Sequence, residues 1–369
     1  DFREKARRMT LEGQIRIALT WDGAAIRKAT VIPRPLLDAN RLVRGKSPQE
    51  AAQIIPLLFS LCGQAQGVAA ALALAAAQGR HGVPDELERR VLIEALQETA
   101  WRVLLDLPQL FGIPGDALTL AALRKRCAEN PSGDALAAYL EDLLERHLFG
   151  VPGHAWSAFT ATAQLESWLA QADTPLAATL RQLWHDEGNW GNSDTGLLPE
   201  FSAAQMVEEL LPALLADANF AGLPHWRGLP AETGALARLN RHPLIEEALQ
   251  RQGNTVGVRL LARLLDLARF ADRLRNADTH WASHASVKEN AGLAWLQTSR
   301  GLLIHYAEVT NGMVADYRIV APTEWNFHPG GAFVRGLTGK RVASADEARR
   351  HAALLLHALD PCVEAVLSV

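Results

Sequence analysis

The chain has 369 residues, 49% of them hydrophobic and 21% charged, with a formal net charge of -4. That apolar content supports a sizeable core in one large domain or two ordinary ones, and the slightly acidic balance gives no electrostatic case for nucleic acid. The three cysteines are odd in number and widely spaced, which points to free thiols in a reducing compartment; no signal peptide is recognisable, and the apolar run 67–77 is too short and alanine-rich to span a bilayer, so a cytoplasmic protein without a membrane partner is expected.

Gln14 to Leu19 alternates apolar and polar residues, Asp22-Gly23 supplies a turn, and Ile26 to Ile32 returns as a second strand. Ser47-Pro48-Gln49-Glu50 is a helix start, with an N-cap serine, proline at the first position and an acid in the first turn. That helix reaches about Leu61, kinked at Pro56, and meets Cys62-Gly63. A helix of small residues follows from Gln64 to Ala77 and implies close backbone packing. The middle, 84–292, reads as helical, with a Gly/Asn/Asp-rich loop from Asp186 to Pro199. Its last helix, Thr255 to Asn276, is amphipathic with a basic face.

Thr298 to Asn326 is a second hairpin around Asn311-Gly312, a pair that accepts positive φ at both turn positions. It sets Ser299-Arg300-Gly301 beside Ala321-Pro322-Thr323, a guanidinium next to a hydroxyl. A final helix, Asp346 to Leu359, ends before Asp360-Pro361-Cys362. The expected fold is mainly α within the α+β class: a helical bundle with one small antiparallel sheet in which the two hairpins join. We read 1–369 as a single domain of three segments: the N-terminal hairpin and Cys62 (1–80), the helical middle (84–292), and the C-terminal hairpin and Cys362 (293–369).

If the hairpins share a sheet, the segments after them bring Cys62 and Cys362 together. Two thiolates are soft ligands for iron, nickel or zinc, short of the four in a closed structural zinc site. On spacing alone, a buried small hydrophobe accounts for each cysteine. Cys127, after Lys125-Arg126, reads as structural or exposed. Arg300 and Thr323 offer convergent donors to an anion, although without further context an ordinary salt bridge or strand-end hydrogen bond is the better account. His305, inside a strand, reads as packed or half-exposed. Trp184-His185-Asp186-Glu187 is a polar loop, since adjacent ligands cannot all face one ion. No phosphate loop, dinucleotide fingerprint or serine nucleophile elbow is present.

Together these pieces resemble the large subunit of nickel–iron hydrogenases. Ser299-Arg300-Gly301 followed by His305-Tyr306 is similar to that family's proline-arginine-glycine and histidine-tryptophan run. Val320-Ala321-Pro322-Thr323-Glu324-Trp325-Asn326 resembles its proline-serine/threonine-x-tryptophan-asparagine motif, and Asp360-Pro361-Cys362 its C-terminal cysteine motif. Leu11-Glu12-Gly13-Gln14 and Gly45-Lys46-Ser47-Pro48 lead into Cys62-Gly63 in the family's order. The resemblance covers both ends, and the middle looks shortened.

The resemblance implies metal ligands at Cys62 and Cys362, the terminal members of two cysteine pairs. The bridging members are replaced by Ala65 and Ala365, a histidine by Ala69, the C-terminal histidine by Ser368, and an ion-site glutamate by Asn40, whereas an acid is kept at Glu12. In the family, iron carries two cyanides and one carbon monoxide, and Arg300, Pro322 and Thr323 hold the positions that grip those ligands. A shortened chain with this pocket and without the bridges resembles the HupK/HoxV group of hydrogenase maturation proteins. The implied role is a non-enzymatic scaffold that carries the iron–dicyano–carbonyl unit transiently. The implied partners are chaperones of the HypC type and the large-subunit precursor, and ending at Val369 fits a protein that needs no processing protease. The alternative is a metal-free module that mimics the large subunit and binds the same partners. An active hydrogenase is disfavoured, because the two-metal core has lost its bridging thiolates and the chain has no iron–sulfur motif of its own.

Overall fold

A computed structural model describes residues 13–34, 38–184, 190–276 and 281–369. Leu11, Glu12, His185, Asp186 and Glu187, all singled out in the sequence, lie outside the described residues.

The first hairpin forms as its alternation dictates, from β1 (Ile15–Trp21) and β2 (Ile26–Ile32). Asp22 Oδ1 closes the turn by accepting from the Ala24 and Ala25 amides at 3.0 and 2.8 Å. Ser47 and Glu50 then make a reciprocal capping box at the helix Pro48–Ile54. A short 3-10 turn, Ile55–Leu58, carries Pro56 and delivers the chain to Cys62, the N-cap of α1 (Gly63–Ala77).

Helix α1 is the hub. Its residues are small because strands pass close by. A Cβ added to Gly292 of the adjoining strand would lie 2.2 Å from the Ala73 carbonyl oxygen and 2.4 Å from the Ala77 nitrogen. Helix α2 (Asp85–Trp101) packs beside it and continues through a π turn, Arg102–Asp106. Further helices follow the predicted order to α3 (Val256–Ala268), with one break in the pattern: a two-residue parallel pair, Gly196–Leu197 with Ala231–Glu232. The expected single helix Thr255 to Asn276 is in fact two, α3 and α4 (Phe270–Arg275).

The basic face of α3 points inward. Every residue of α3 is buried. Arg259 forms a fork with Glu232 at 2.8 and 2.7 Å, and Arg263 donates to the His357 and Ala358 carbonyls, both at 2.9 Å. The amphipathic pattern was real, but its polar side meets buried acceptors instead of solvent.

Four strands follow: β3 (Ala282–Lys288), β4 (Ala291–Thr298), β5 (Gly301–Thr310) and β6 (Met313–Val320), in an antiparallel meander in that order. The Asn311-Gly312 hairpin is β5–β6 as predicted, with φ of 52° and 75° at its turn. Two expectations are corrected here. The helical middle ends at Arg275, before β3 and β4. The two hairpins also lie in separate sheets: β1 pairs β2 on one side and β7 (Ala365–Ser368), in parallel, on the other. The reason is visible in β4. Ala294 and Leu296 face the main core, while Ala291, Leu293 and Trp295 face a smaller core with Leu198, Met206 and Phe220. A strand covered on both faces loses its alternation and its sequence signal.

Helix α5 (Pro322–Asn326) follows β6, and α6 (Ala345–Leu359) leads to the C-terminal strand. His305 on β5 is fully buried and bonds Tyr317 of β6 at 2.7 Å and Gln66 of α1 at 2.8 Å, a polar pin between sheet and helix. Cys127 is buried in the helix Ala117–Ala128. No helix among the described residues is long and apolar enough to cross a membrane.

Candidate functional site

The end of α6 creates the site. Asp360 caps it in the left-handed region, φ 49°, and Pro361 prevents continuation. The chain therefore turns back and places Cys362 over the first turn of α5. The Cys362 amide donates to Thr323 Oγ1 at 3.1 Å, and Thr323 Oγ1 donates to Cys362 Sγ at 3.0 Å. Pro322, buried at the first helical position, fixes where Thr323 stands.

Cys62 reaches the same place from the N-cap of α1, which the sheet holds from below. Its sulfur accepts from Gln66 Nε2 at 3.7 Å, and it lies near enough to Cys362 for each thiol to shift the other's acidity. Both thiols are free; Cys362 is buried and Cys62 half-buried. This proximity splits their acidities. Hydrogen bonding to Cys362 and burial push the Cys62 thiol up. The bond from Cys62 outweighs burial and brings Cys362 down to about 7, helped by the positive charge of Arg34 and Arg300.

Arg300, 4% exposed, lines the same crevice as Cys62 and is near enough to feel the charge of both thiols. Its Nη2 donates to Glu98 Oε2 at 3.0 Å, and its Nε lies 3.5 Å from Asp360 Oδ1 without making a hydrogen bond. Burial opposes its charge, but Asp360, Glu98 and the two thiols outweigh that cost. Burial would likewise raise Asp360, yet Arg300, Arg102 and Arg263 hold its carboxyl at about 2; Arg102 Nε bonds it at 2.7 Å. Arg300 and Thr323 thus meet at the Asp360–Cys362 segment, each with its own partner, rather than by bonding one another.

Two acids complete the surroundings without having been singled out in the sequence. Glu94 and Glu98 lie one helical turn apart on α2, in line with buried Val91 and Ala95. Acids at that spacing on an otherwise apolar face are the signal that was available. Glu94 accepts from the Gln64 and Ala65 amides at 2.8 and 2.9 Å, at the positive end of α1. Burial raises it to about 7 despite those bonds. It therefore sits at Ala65, where the resemblance places a bridging cysteine. On the opposite side, Arg34 donates to Glu324 at 2.8 Å, both buried, and the Glu324 Oε2 atom makes no hydrogen bond. The crevice among Leu61, Cys62, Ala65, Glu94, Glu98 and Arg300 is too tight for a water molecule. Among the described residues, no group of three or more His, Cys, Asp or Glu side chains is placed to hold a metal ion.

The other substituted positions are structural. Ala365 lies opposite Ile15 in the β1–β7 ladder, and Ser368 Oγ donates to the Ile17 carbonyl at 3.2 Å. Ala69 is buried in α1, and Asn40 Oδ1 accepts from the Tyr317 amide at 3.1 Å.

The profile of the family described as Nickel-dependent hydrogenase matches residues 254–366, a span that includes Arg300, Thr323 and Cys362. Across the whole length, the chain is 31% identical to the "Hydrogenase expression/formation protein HoxV" of Cupriavidus necator, over 345 residues covering 89% of this chain and 90% of that protein. It is 32% identical to the "Hydrogenase expression/formation protein HupK" of Rhizobium leguminosarum bv. viciae, with 89% of each chain covered. The chain belongs to the HoxV/HupK family of hydrogenase expression/formation proteins. Among solved structures it is similar to the Ni-Fe-Se hydrogenase from D. vulgaris Hildenborough, with a TM-score of 0.59 at 15% identity, covering 93% of this chain and 95% of that one. That likeness establishes the hydrogenase large-subunit fold for this HoxV/HupK family member.

Proposed function

We propose that this protein carries the iron–dicyano–carbonyl unit during nickel–iron hydrogenase maturation and passes it to the large-subunit precursor, without catalysing hydrogen chemistry itself. The observation that carries this reading is that the free thiol of Cys62 shares a crevice with Arg300, while Thr323 bonds the free thiol of Cys362, and both thiols act on the Arg300 charge. The iron unit is the cargo, not a resident cofactor. Cys62 and Cys362 would supply soft thiolate ligands. Arg300 offers an unpartnered buried Nε–H, a donor suited to a metal-bound cyanide. Thr323 holds Cys362 and supplies a second donor once its sulfur bond is exchanged. Two thiolates bind less tightly than four, which suits a unit that must leave again. Because the crevice is closed, loading requires the Cys62 and Cys362 arms to part. Chaperones of the HypC type and the precursor are the partners this reading assigns, in the cytoplasm.

The closed crevice also favours a second reading, a metal-free module that presents a large-subunit-like surface to the same partners. Infrared spectroscopy on protein co-produced with the maturation machinery separates the two. The carrier shows cyanide and carbonyl stretching bands that Cys62→Ala abolishes. Absence of those bands, with partner binding unchanged in Cys62→Ala, establishes the module instead.

A further inference from the structure

We propose that the outer edge of β3, with the cationic cleft at its start, is a docking groove for an extended acidic segment of a partner protein, which adds to the four-stranded sheet as a further strand. This docking does not depend on whether the protein carries iron. β3 is the outer strand of the meander, and among the described residues its backbone pairs only with β4. Both of its faces are occupied. Ser286 Oγ donates to the Ala76 carbonyl of α1 at 2.7 Å, while Ala285 and Val287 pack on the smaller core. The edge is left, with Ser283 to Lys288 half-buried or exposed. An unpaired row of N–H and C=O groups is a template for another strand unless charge or proline blunts it. β3 contains no proline, and its one lysine, Lys288, is tied to Glu308 at 3.0 Å.

The cleft sets the chemistry of the occupant. A cavity of about 820 Å³ is walled in part by Ala282, Ser283 and His284, at the start of β3. Its lining carries three arginines, Arg238, Arg269 and Arg273, against one carboxylate, Glu200. Arg238 and Arg273 are fixed in place. Both bond the buried Asp266, at 2.6 and 2.7 Å, and both lie over the Trp281 ring, 5.2 and 5.0 Å from its centre. Arg269, the residue after α3, is exposed, and its side chain makes no ion pair or hydrogen bond among the described residues. A positive wall with an unspent guanidinium selects carboxylate side chains. The volume exceeds what a lone phosphate or carboxylate needs, and strand residues form part of the wall, so a peptide segment fits better than a free anion. Main-chain bonds to β3 then supply affinity, and the arginines supply selection and direction, because only one end of the added strand meets them.

The test uses the full chain and a fluorescein-labelled probe peptide of about ten residues, alternating valine and threonine and ending in glutamates. Fluorescence anisotropy should show saturable binding that weakens about tenfold in Arg269→Glu. Binding should disappear when the backbone nitrogens of the valine–threonine run are methylated, and when lysines replace the glutamates. A photo-crosslinker in that run should map to Ala282–Lys288. Arg269→Glu should keep the parent's circular dichroism spectrum, since that side chain has no partner to lose. A probe held equally by parent and Arg269→Glu overturns the charge selection, and one held equally after methylation overturns the strand addition; either result sinks the proposal. Cross-links outside β3 and its cleft, or no binding up to about 1 mM peptide, sink it as well. A dimer in sedimentation, with no probe binding, assigns the edge to a second copy of this chain instead.

Discussion

Replacing Arg300 by methionine tests whether the buried charges around the thiols act as one network. The guanidinium has two acidic partners, Glu98 at 3.0 Å and Asp360 at 3.5 Å. Asp360 keeps other cations after the substitution, Arg102 at 2.7 Å and Arg263 at 3.9 Å. The uncompensated charge therefore falls on Glu98, whose side chain is 11% exposed. Breaking one side of a buried pair typically costs about 3–5 kcal/mol, and the residual solvent access of Glu98 places Arg300→Met near the lower end, at about 3 kcal/mol. Glu98→Gln alone leaves Arg300 its Asp360 contact and should cost about 1 kcal/mol. The double variant should then be less destabilised than the sum of the two by about 2 kcal/mol, because the neutral amide that replaces the Glu98 carboxylate no longer needs a cation. The assay is urea unfolding of reduced, metal-free protein, followed by circular dichroism. A loss below about 1 kcal/mol for Arg300→Met, or simple additivity in the cycle, would refute the network and leave Arg300 an ordinary buried cation.

Gly292→Ala should destabilise by about 1–3 kcal/mol or more by urea unfolding, since the new methyl collides with the α1 backbone rather than a flexible side chain. Glu232→Ala leaves Arg259 buried without its fork, both partners being 2% exposed, and should cost about 3–5 kcal/mol in the same urea assay. Burial holds His305 at about 3 against an ordinary 6.5. The unfolded chain therefore binds the extra proton between those values, and this contribution to stability, complete above pH 6.5, declines as the pH falls towards 3. His305→Gln should reduce the slope of stability against pH by about one proton near pH 5, or about 1.4 kcal/mol per pH unit. An unchanged slope would show that the imidazole titrates normally in the folded protein.

Local chemistry determined much on its own. The Asn311-Gly312 turn, the Ser47 helix start, the helix end before Asp360-Pro361 and the alanine-rich helix after Cys62 each depend on a few neighbouring residues, and each is legible in sequence. The resemblance pointed to Cys62, Cys362, Arg300, Pro322 and Thr323 as one site; in the fold Thr323 bonds Cys362, and Arg300 lines a crevice with Cys62.

Tertiary structure decided what surrounds that site. The sequence reading joined the hairpins into one sheet to bring the cysteines together, whereas packing does so by seating α1 against β4 at Gly292 and turning the chain back after α6. Strand β4 was silent because it is buried on both faces. The basic face of α3 turned inward because Glu232 and the last carbonyls of α6 wait there. Glu94 and Glu98 escaped notice because an acid on a helix usually faces water; only the proximity of the α1 N-terminus and Arg300 makes a buried acid tolerable. The family resemblance named the candidate site residues. The charges that tune them come from segments hundreds of residues apart, and no local pattern records that meeting.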